Sequence, residues 1–491
     1  MQSYDYIVIG GGGAGAVLAR VLAEKISGTV ALLEAGPVDD LPAIHDLARF
    51  SELGETAIAR NLPVVLPEGQ RARFLMPTSR VLGGSTSRNT CIWFRPPARD
   101  FAEWEAKGAE GWGPEEATRL FEALEARIAI ESEAPDAPGH RVMWEAVRES
   151  GFDEIDFATE MREGIGRYRF SKTGAARQSS AAAFLRGPLP ANLHVLTETE
   201  VSRLRLDADH RIEAVETNRG AFTARAEVIL SAGAIDTARL LLLSGIGPAE
   251  ELAALGIAPR VDLPGVGRHL LDHPAAALNL RATRPTGRDA FWNYIGVLFA
   301  NVADPGDWPD IEIQFGPELY DRQTLQAGYP TAEDGFTAYL SVNRARSEGS
   351  VRLTAADVAA PLRIETDFFS DPDGYDLRVM TEGLRLVRRV FAAPAFDGWR
   401  AEELAPGADA TDDATLGAFA RETALTGYHP AGTAKMGAGS DPLAVVDSKL
   451  RVRGCANLRV ADASVMPTMV SVNIAATVML IGMKAAELLA E

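Results

Sequence analysis

His429 stands in Gly427-Tyr428-His429-Pro430, where glycine and proline break regular structure on both sides. The imidazole therefore belongs on a loop rather than on a packed helical face. A neutral imidazole titrates in the range needed of a group that accepts a proton near neutral pH. Taken alone, such a histidine is more often structural than chemical, so its company matters. Asn473 lies in Val470-Ser-Val-Asn-Ile474, just before an apolar stretch that runs over 474–489. Asparagine favours the N-cap of a helix. From there its amide can donate to an oxygen, while the helix N-terminus favours negative charge close by.

The elements that must position these groups begin at the N-terminus. Residues 5–9 read as a buried strand followed at once by Gly10-Gly11-Gly12-Gly13-Ala14-Gly15. A helical stretch over 14–25 and a second strand over 29–33 come next, and Glu34 closes that strand. Gly10 permits a tight turn, Gly12 lets the backbone approach a pyrophosphate, and Gly15 lets helix and strand pack closely. Gly13 and Ala14 open the helix, whose free N–H groups and dipole favour phosphate. Glu34, 19 residues beyond Gly15, can accept hydrogen bonds from ribose hydroxyls. This unit alone does not separate FAD from NAD. The far end of the chain does: a short strand over 458–461 runs into Asp462, a carboxylate suited to the ribityl or pyrophosphate region of a flavin. A third strand, 228–230, leads into Ser231-Ala232-Gly233-Ala234, another small-residue turn. The cofactor-binding part is thus expected to be discontinuous in sequence.

Composition narrows the class. A chain of 491 residues exceeds one simple core, so two lobes are expected. The formal charge of −19 argues against nucleic-acid partners, which need a basic face. With only Cys91 and Cys455, neither a disulfide framework nor a zinc site is expected, and His269, Asp272 and His273 make no metal site on spacing alone. No basic segment followed by an apolar core opens the chain, and no apolar run is long enough to span a bilayer. The expectation is a cytoplasmic, soluble protein with no membrane span, with oligomerisation left open.

Four segments make the likeness specific: Arg80-Val-Leu-Gly-Gly-Ser-Thr-Ser-Arg-Asn89, Gly233-Ala-Ile-Asp-Thr-Ala-Arg-Leu-Leu-Leu-Leu-Ser-Gly-Ile-Gly247, Leu263-Pro-Gly-Val-Gly-Arg-His-Leu-Leu-Asp-His273 and Tyr428-His-Pro-Ala-Gly-Thr-Ala-Lys-Met436. In this order the sequence resembles the glucose–methanol–choline family of flavin oxidoreductases, and within it the choline oxidase branch, through 91–104, 329–335 and 378–389. The resemblance implies an α/β fold. A Rossmann-like FAD-binding domain would come from 1–140, 180–282 and 430–491, and an α+β substrate domain with an antiparallel sheet from 141–179 and 283–429. Strands near 310–315 and 337–342 and a helix over 376–391 fit that second part. It further implies cofactor contacts at Arg80, Gly83, Gly84, Asn89, Thr90, Cys91, Val201, Ala232, Asp462, Ala463 and Asn473, besides the N-terminal turn. It pairs His429 with Asn473, the first as base for an alcohol hydroxyl, while hydride passes to flavin N5.

Two departures refine the reading. Choline oxidases carry a flavin-linking histidine where this chain has Arg88, and a guanidinium offers no comparable nucleophile. Noncovalent FAD is expected. Choline oxidases also hold the substrate cation with a carboxylate, and the corresponding stretch here offers Asn293 or Tyr294. A quaternary cation then keeps only cation–π attraction, so the expected substrate is a primary alcohol other than choline. Trp93, Phe94, Tyr294, Phe291, Trp292, Gly427 and Tyr428 are candidate pocket residues, with ordinary core packing the competing reading for the aromatics. The acceptor is dioxygen or a quinone. Two other classes share the pattern: a non-redox or light-driven member of the same fold (a hydroxynitrile lyase or a decarboxylase), and a protein that FAD merely stabilises.

Overall fold

The computed structural model describes residues 2–67, 69–287, 294, 296–303, 306 and 308–491. The predicted N-terminal strand forms as β1 (Gln2–Ile9), and its last three residues are fully buried. Strand β2 (Val30–Leu33) is buried on both faces, as a strand between helical layers must be. Strands β3 (Leu193–Leu196), β4 (Val201–Leu206), β5 (Ile212–Thr217) and β6 (Gly220–Leu230) complete a sheet ordered β4-β5-β6-β1-β2-β3. Its core is parallel, with β1 flanked by β2 and β6. The expected C-terminal strand, Leu458–Val460, joins it in parallel on β6. The cofactor half is therefore knitted from segments more than two hundred residues apart.

Helix α1 (Gly13–Lys25) leaves the glycine turn and packs on the C-terminal helix α4 (Ala475–Ala490). A Cβ at Gly482 would lie 2.3 Å from the Ala14 carbonyl oxygen, so only glycine allows this approach. Helix α2 (Gly233–Leu243) follows β6 through the second small-residue turn.

The second sheet is antiparallel. Strands β7 (Pro274–Ala282), β8 (Gly296–Ala300), β9 (Ile311–Gly316) and β10 (Gly335–Val342) run in the order β7-β10-β9-β8, flanked by Arg400–Ala405 beside β7 and Gly164–Arg167 beside β8. Strand β7 belongs here although a boundary after residue 282 places it with the nucleotide half; its pairing partner β10 lies in this sheet. Strict alternation sends Ile311, Ile313, Phe315, Leu340 and Leu278 to one face, against helix α3 (Tyr375–Phe391). The other face carries Glu312, Gln314, Tyr339, Ser341, Ala275 and Phe299, as the cross-strand register dictates. That face is turned toward the cofactor half, because Asn343, the next residue on it, reaches Ser471 of that half, while Tyr339 holds Thr426 in the short strand that pairs with β7.

Candidate active site

The glycine turn is shaped as the sequence requires. Gly10 has φ +103°, and a Cβ there would lie 2.4 Å from the Ser231 carbonyl oxygen. A Cβ on Gly15 would overlap the Gly10 carbonyl oxygen at 1.9 Å. Above Gly12, by contrast, an added Cβ meets only Gly84, at 3.8 Å, so the turn carries a bare backbone face between Gly12 and the Gly83-Gly84 turn. Gly83 is left-handed at φ +88°, and its N–H donates to the Gly11 carbonyl at 2.7 Å. This two-sided cradle fits a pyrophosphate. Gly13 and Ala14 open α1 beneath it.

The other expected cofactor residues fall on several elements. Glu34 is buried and accepts from the N–H groups of Gly11 (2.8 Å) and Gly36 (2.7 Å), one on each oxygen, leaving lone pairs for a ribose. Burial pushes its carboxyl above the usual range. Arg80 pairs with Glu200, Val201 opens β4, and Ala232 caps α2. Asn89 is half-buried, and its Oδ1 accepts from the Cys91 N–H (3.1 Å) and from Arg177 (3.0 Å). Thr90 is half-buried beside it, while Cys91 is buried with φ +62°.

Asp462 departs from expectation. Its Oδ2 accepts from Gly233 N–H (2.9 Å) and Thr237 hydroxyl (2.6 Å), and its Oδ1 from Ser464 N–H (2.8 Å) and hydroxyl (2.5 Å). All its acceptor capacity is spent within the chain, so it clamps the turn at α2 to Ala463 and Ser464 instead of reaching toward a ribityl chain. Arg88 is also engaged within the chain. Its guanidinium donates to the Thr78 carbonyl (3.2 Å) and the Asn61 side chain (3.2 Å), tying it to the hairpin formed by Ala59–Pro63 and Leu75–Ser79.

Across from this cradle, four separate segments converge. His429 and Asn473 meet, with the Asn473 amide nitrogen 3.3 Å from His429 Nε2. Asn473 does not cap α4: Ile474 takes that position, and Asn473 sits one residue earlier with its amide turned to the imidazole. Its Oδ1 is buried and unpartnered. His429 Nδ1 lies 2.8 Å from Nδ1 of His273, whose Nε2 lies 3.0 Å from the Val470 carbonyl oxygen. A carbonyl only accepts, so His273 carries its hydrogen on Nε2 and presents a lone pair at Nδ1. His429 must then donate from Nδ1, which leaves its Nε2 as a free base beside Asn473. One backbone oxygen thus fixes the tautomer of two rings.

Burial supports the neutral forms. His273 is fully buried, and its imidazole is held down to about 4. Burial and the neighbouring His273 hold His429 well below the usual histidine range. Beneath both rings lies Asp272, whose Oδ1 accepts the backbone N–H groups of His273 (2.8 Å) and His429 (3.0 Å). Its Oδ2 accepts the Thr426 hydroxyl, and burial pushes the carboxyl up to about 6. Gly427 is compelled: a Cβ there would stand 2.8 Å from His273 Cβ. Tyr428 adopts φ +69°, a costly conformation for a non-glycine residue. It leaves the ring 47% exposed with its hydroxyl 2.6 Å from that of Tyr320.

The second sheet anchors this junction twice. Tyr339 donates its hydroxyl to the Thr426 carbonyl (3.0 Å), and the Asn343 amide donates to the Ser471 carbonyl (2.8 Å). Asp100 holds the same segment from the other side, accepting from Ser471 N–H (2.6 Å) and hydroxyl (2.9 Å).

The expected pocket aromatics divide. Trp93 lies in the cofactor-half core with its indole N–H on Glu125 (2.9 Å). Phe94 clusters with Tyr168, Phe299 and Val472, next to Asn473. Tyr294 is buried against Gly316. Phe291, Trp292 and Asn293 lie outside the described residues. Among the described residues no metal-binding cluster occurs, both cysteines are free, and no helix is long and apolar enough to cross a membrane. Asp272 and His273 were not singled out from the sequence as chemical groups. Their signal was present, a polar pair entering the wholly apolar run 274–278, but it points equally to a turn.

Known proteins resemble this chain over most of its length. The family described as GMC oxidoreductase matches residues 4–275 with its N-terminal profile and 345–482 with its C-terminal one. Choline oxidase of Arthrobacter globiformis is 39% identical, covering 99% of this chain and 94% of the relative. Alcohol dehydrogenase [acceptor] of Pseudomonas putida is 33% identical, covering 99% and 95%. Among solved structures, pyridoxine 4-oxidase from Mesorbium loti superposes with a TM-score of 0.90 at 27% identity, covering 98% of each chain.

Proposed function

Because the chain belongs to the GMC oxidoreductase family of FAD-dependent enzymes, we propose that it oxidises a primary alcohol with His429 as the base, through noncovalently held FAD. The observation that carries this reading is the tautomer chain from Val470 through His273 to His429, which delivers an unprotonated Nε2.

The cradle of Gly10, Gly12, Gly15, Gly83 and Gly84 would hold the pyrophosphate, and Glu34 the ribose. Bound FAD supplies the hydride acceptor at its N5. The chain's own part is to orient and deprotonate. His429 Nε2 takes the hydroxyl proton, and the resulting imidazolium keeps its Nδ1–H on His273. The Asn473 amide, hydrogen-bonded to His429 Nε2 in the resting site, shifts its donor to the substrate oxygen, and this hydrogen bond is long enough at 3.3 Å to yield. Asp272 holds both histidine backbones, so the base is rigidly aimed. Burial and the neighbouring His273 hold His429 below the usual histidine range, so the base rests unprotonated near neutral pH.

Arg88 supports the noncovalent reading, since a guanidinium tied to Thr78 and Asn61 offers no link to a flavin. Acid precipitation should release all the yellow colour into the supernatant; colour held in the pellet would refute that part. The reaction itself is tested by mixing the holoenzyme anaerobically with a panel of primary alcohols. Bleaching of the cofactor is expected. A cofactor that stays oxidised across the panel would favour the non-redox alternatives. Readmitting air, or adding a quinone, then distinguishes the acceptors.

A further inference from the structure

The antiparallel sheet carries one ionisable group that the alcohol oxidation does not use. Glu312 of β9 is 1% exposed. Its register places it opposite Ser341 of β10 and Phe299 of β8, on the face turned to the active site. Along β10 and the residue just after it, those flanking Ser341 on this face are Tyr339 and Asn343. These are the two anchors, one gripping Thr426 and the other Ser471. Strands lie roughly 4.8 Å apart and alternate residues about 7 Å apart. Glu312 therefore sits one strand away from the midpoint between the His429 loop and the Asn473 segment. Val472, the neighbour of Asn473, packs in the same apolar cluster as Tyr168 and Phe299.

The chemistry around this carboxyl group is lopsided. Tyr168 hydroxyl (2.6 Å) and the Gln314 amide (3.1 Å) both donate to Oε1. No described residue donates to Oε2, and no lysine or arginine among the described residues pairs with the group. A buried carboxylate with one oxygen unserved and no counter-ion is costly on its own. Burial accordingly pushes the carboxyl up to about 7. A ligand that brings both a positive charge and N–H donors corrects both deficits. A quaternary ammonium brings the charge without the donors.

We propose that Glu312 is a specificity-determining residue of this site, selecting alcohols that also carry a primary ammonium group, which it binds through Oε2. The carboxylate that the sequence placed at neither Asn293 nor Tyr294 is thus supplied from β9, and it favours amino alcohols over choline. This rests on His429 being the base of an alcohol oxidation.

The test compares 4-amino-1-butanol, 1-pentanol and choline as reductants of the anaerobic holoenzyme in stopped flow at pH 8. The amino alcohol is expected to exceed 1-pentanol by roughly 10- to 100-fold in kcat/KM, the scale of one hydrogen bond to a charged group. Glu312→Gln should erase that preference through KM, cost the amino alcohol far more than 1-pentanol, and be partly rescued by Glu312→Asp. Equal turnover of amino alcohol and alkanol, better turnover of choline, or equal losses on both alcohols in Glu312→Gln would each overturn the proposal. If no alcohol in a broad panel bleaches the cofactor, the parent reading fails instead. A second measurement needs no variant. The ionisable groups facing Glu312 are Tyr168 and Tyr339, both held well above 10 by burial; Asp272 is pushed up to about 6, His273 is held down to about 4, and burial holds His429 well below the usual histidine range. Affinity for the amino alcohol should therefore rise with pH through about 7 as Glu312 ionises, while affinity for 1-pentanol stays flat. Parallel profiles for the two would also overturn it.

Discussion

The glycine cradle and the histidine junction solve the same problem, holding a reactive group still, by opposite means. The cradle is contiguous in sequence and works by leaving side chains out. Gly10, Gly12 and Gly15 expose backbone, and the first and last of them admit no Cβ. The junction is assembled from four distant segments and works by packing side chains in: Asp272, His273, Tyr339, Asn343, His429 and Asn473 each hold another. A site made of omissions tolerates no addition. A site made of a relay degrades stepwise as its members are removed.

Substitutions can break or sharpen that contrast. The largest effect belongs to the cradle. Gly15→Val would drive a Cβ into the Gly10 carbonyl at 1.9 Å, and the purified protein should be colourless, with no visible flavin absorbance. A yellow Gly15→Val protein would show that the turn adapts. Next comes the base. His429→Ala should keep its cofactor yet reduce it ~10²- to 10⁴-fold more slowly with alcohol. Retained rate would remove His429 from the mechanism. His273→Phe keeps a ring in place but frees the tautomer of His429. A fall on the order of 10- to 100-fold is expected, as for other groups that orient a reacting side chain, visible in kcat more than in KM.

The smallest effect lies one layer further out, at Asp100, which clamps Ser471. Its carboxyl is pushed from 3.8 to about 7 by burial, so folding favours the protonated form. That contribution to stability is complete below the unfolded value and is lost as pH rises through about 7. Asp100→Asn mimics the protonated form and escapes the loss. Its melting temperature relative to the parent should therefore climb between about pH 4 and about pH 8, with turnover lowered only a few-fold. A pH-independent difference would contradict the assignment of that buried carboxyl.

The contrast also explains what the sequence could tell. The cradle was legible because its chemistry is local: strand, glycines, helix and terminal acid fall within one short stretch, ending at Glu34. His429 and Asn473 were legible only through resemblance, since nothing in their spacing brings residues 44 positions apart together. Asp272 and His273 were read as part of a turn, because their partners lie 154 to 197 positions away. Asp462 was read as a ligand to the cofactor, but four donors from its own chain claim it. Asn473 looked like a helix cap because its neighbours are helical, and its amide instead serves the imidazole. Glu312 could not be found at all, for an acid in an alternating strand is ordinary until the register shows which face it joins.

The central claim is that the Val470 carbonyl, acting through His273, leaves His429 neutral with its hydrogen on Nδ1 and a lone pair on Nε2. Long-range ¹H–¹⁵N correlation on histidine-labelled holoenzyme reads this directly, with His273→Phe and His429→Ala assigning the signals. Expected at pH 6.5 are two neutral rings, His429 protonated at Nδ1 and His273 at Nε2. A His429 signal showing the Nε2–H tautomer, or an imidazolium at that pH, would contradict it.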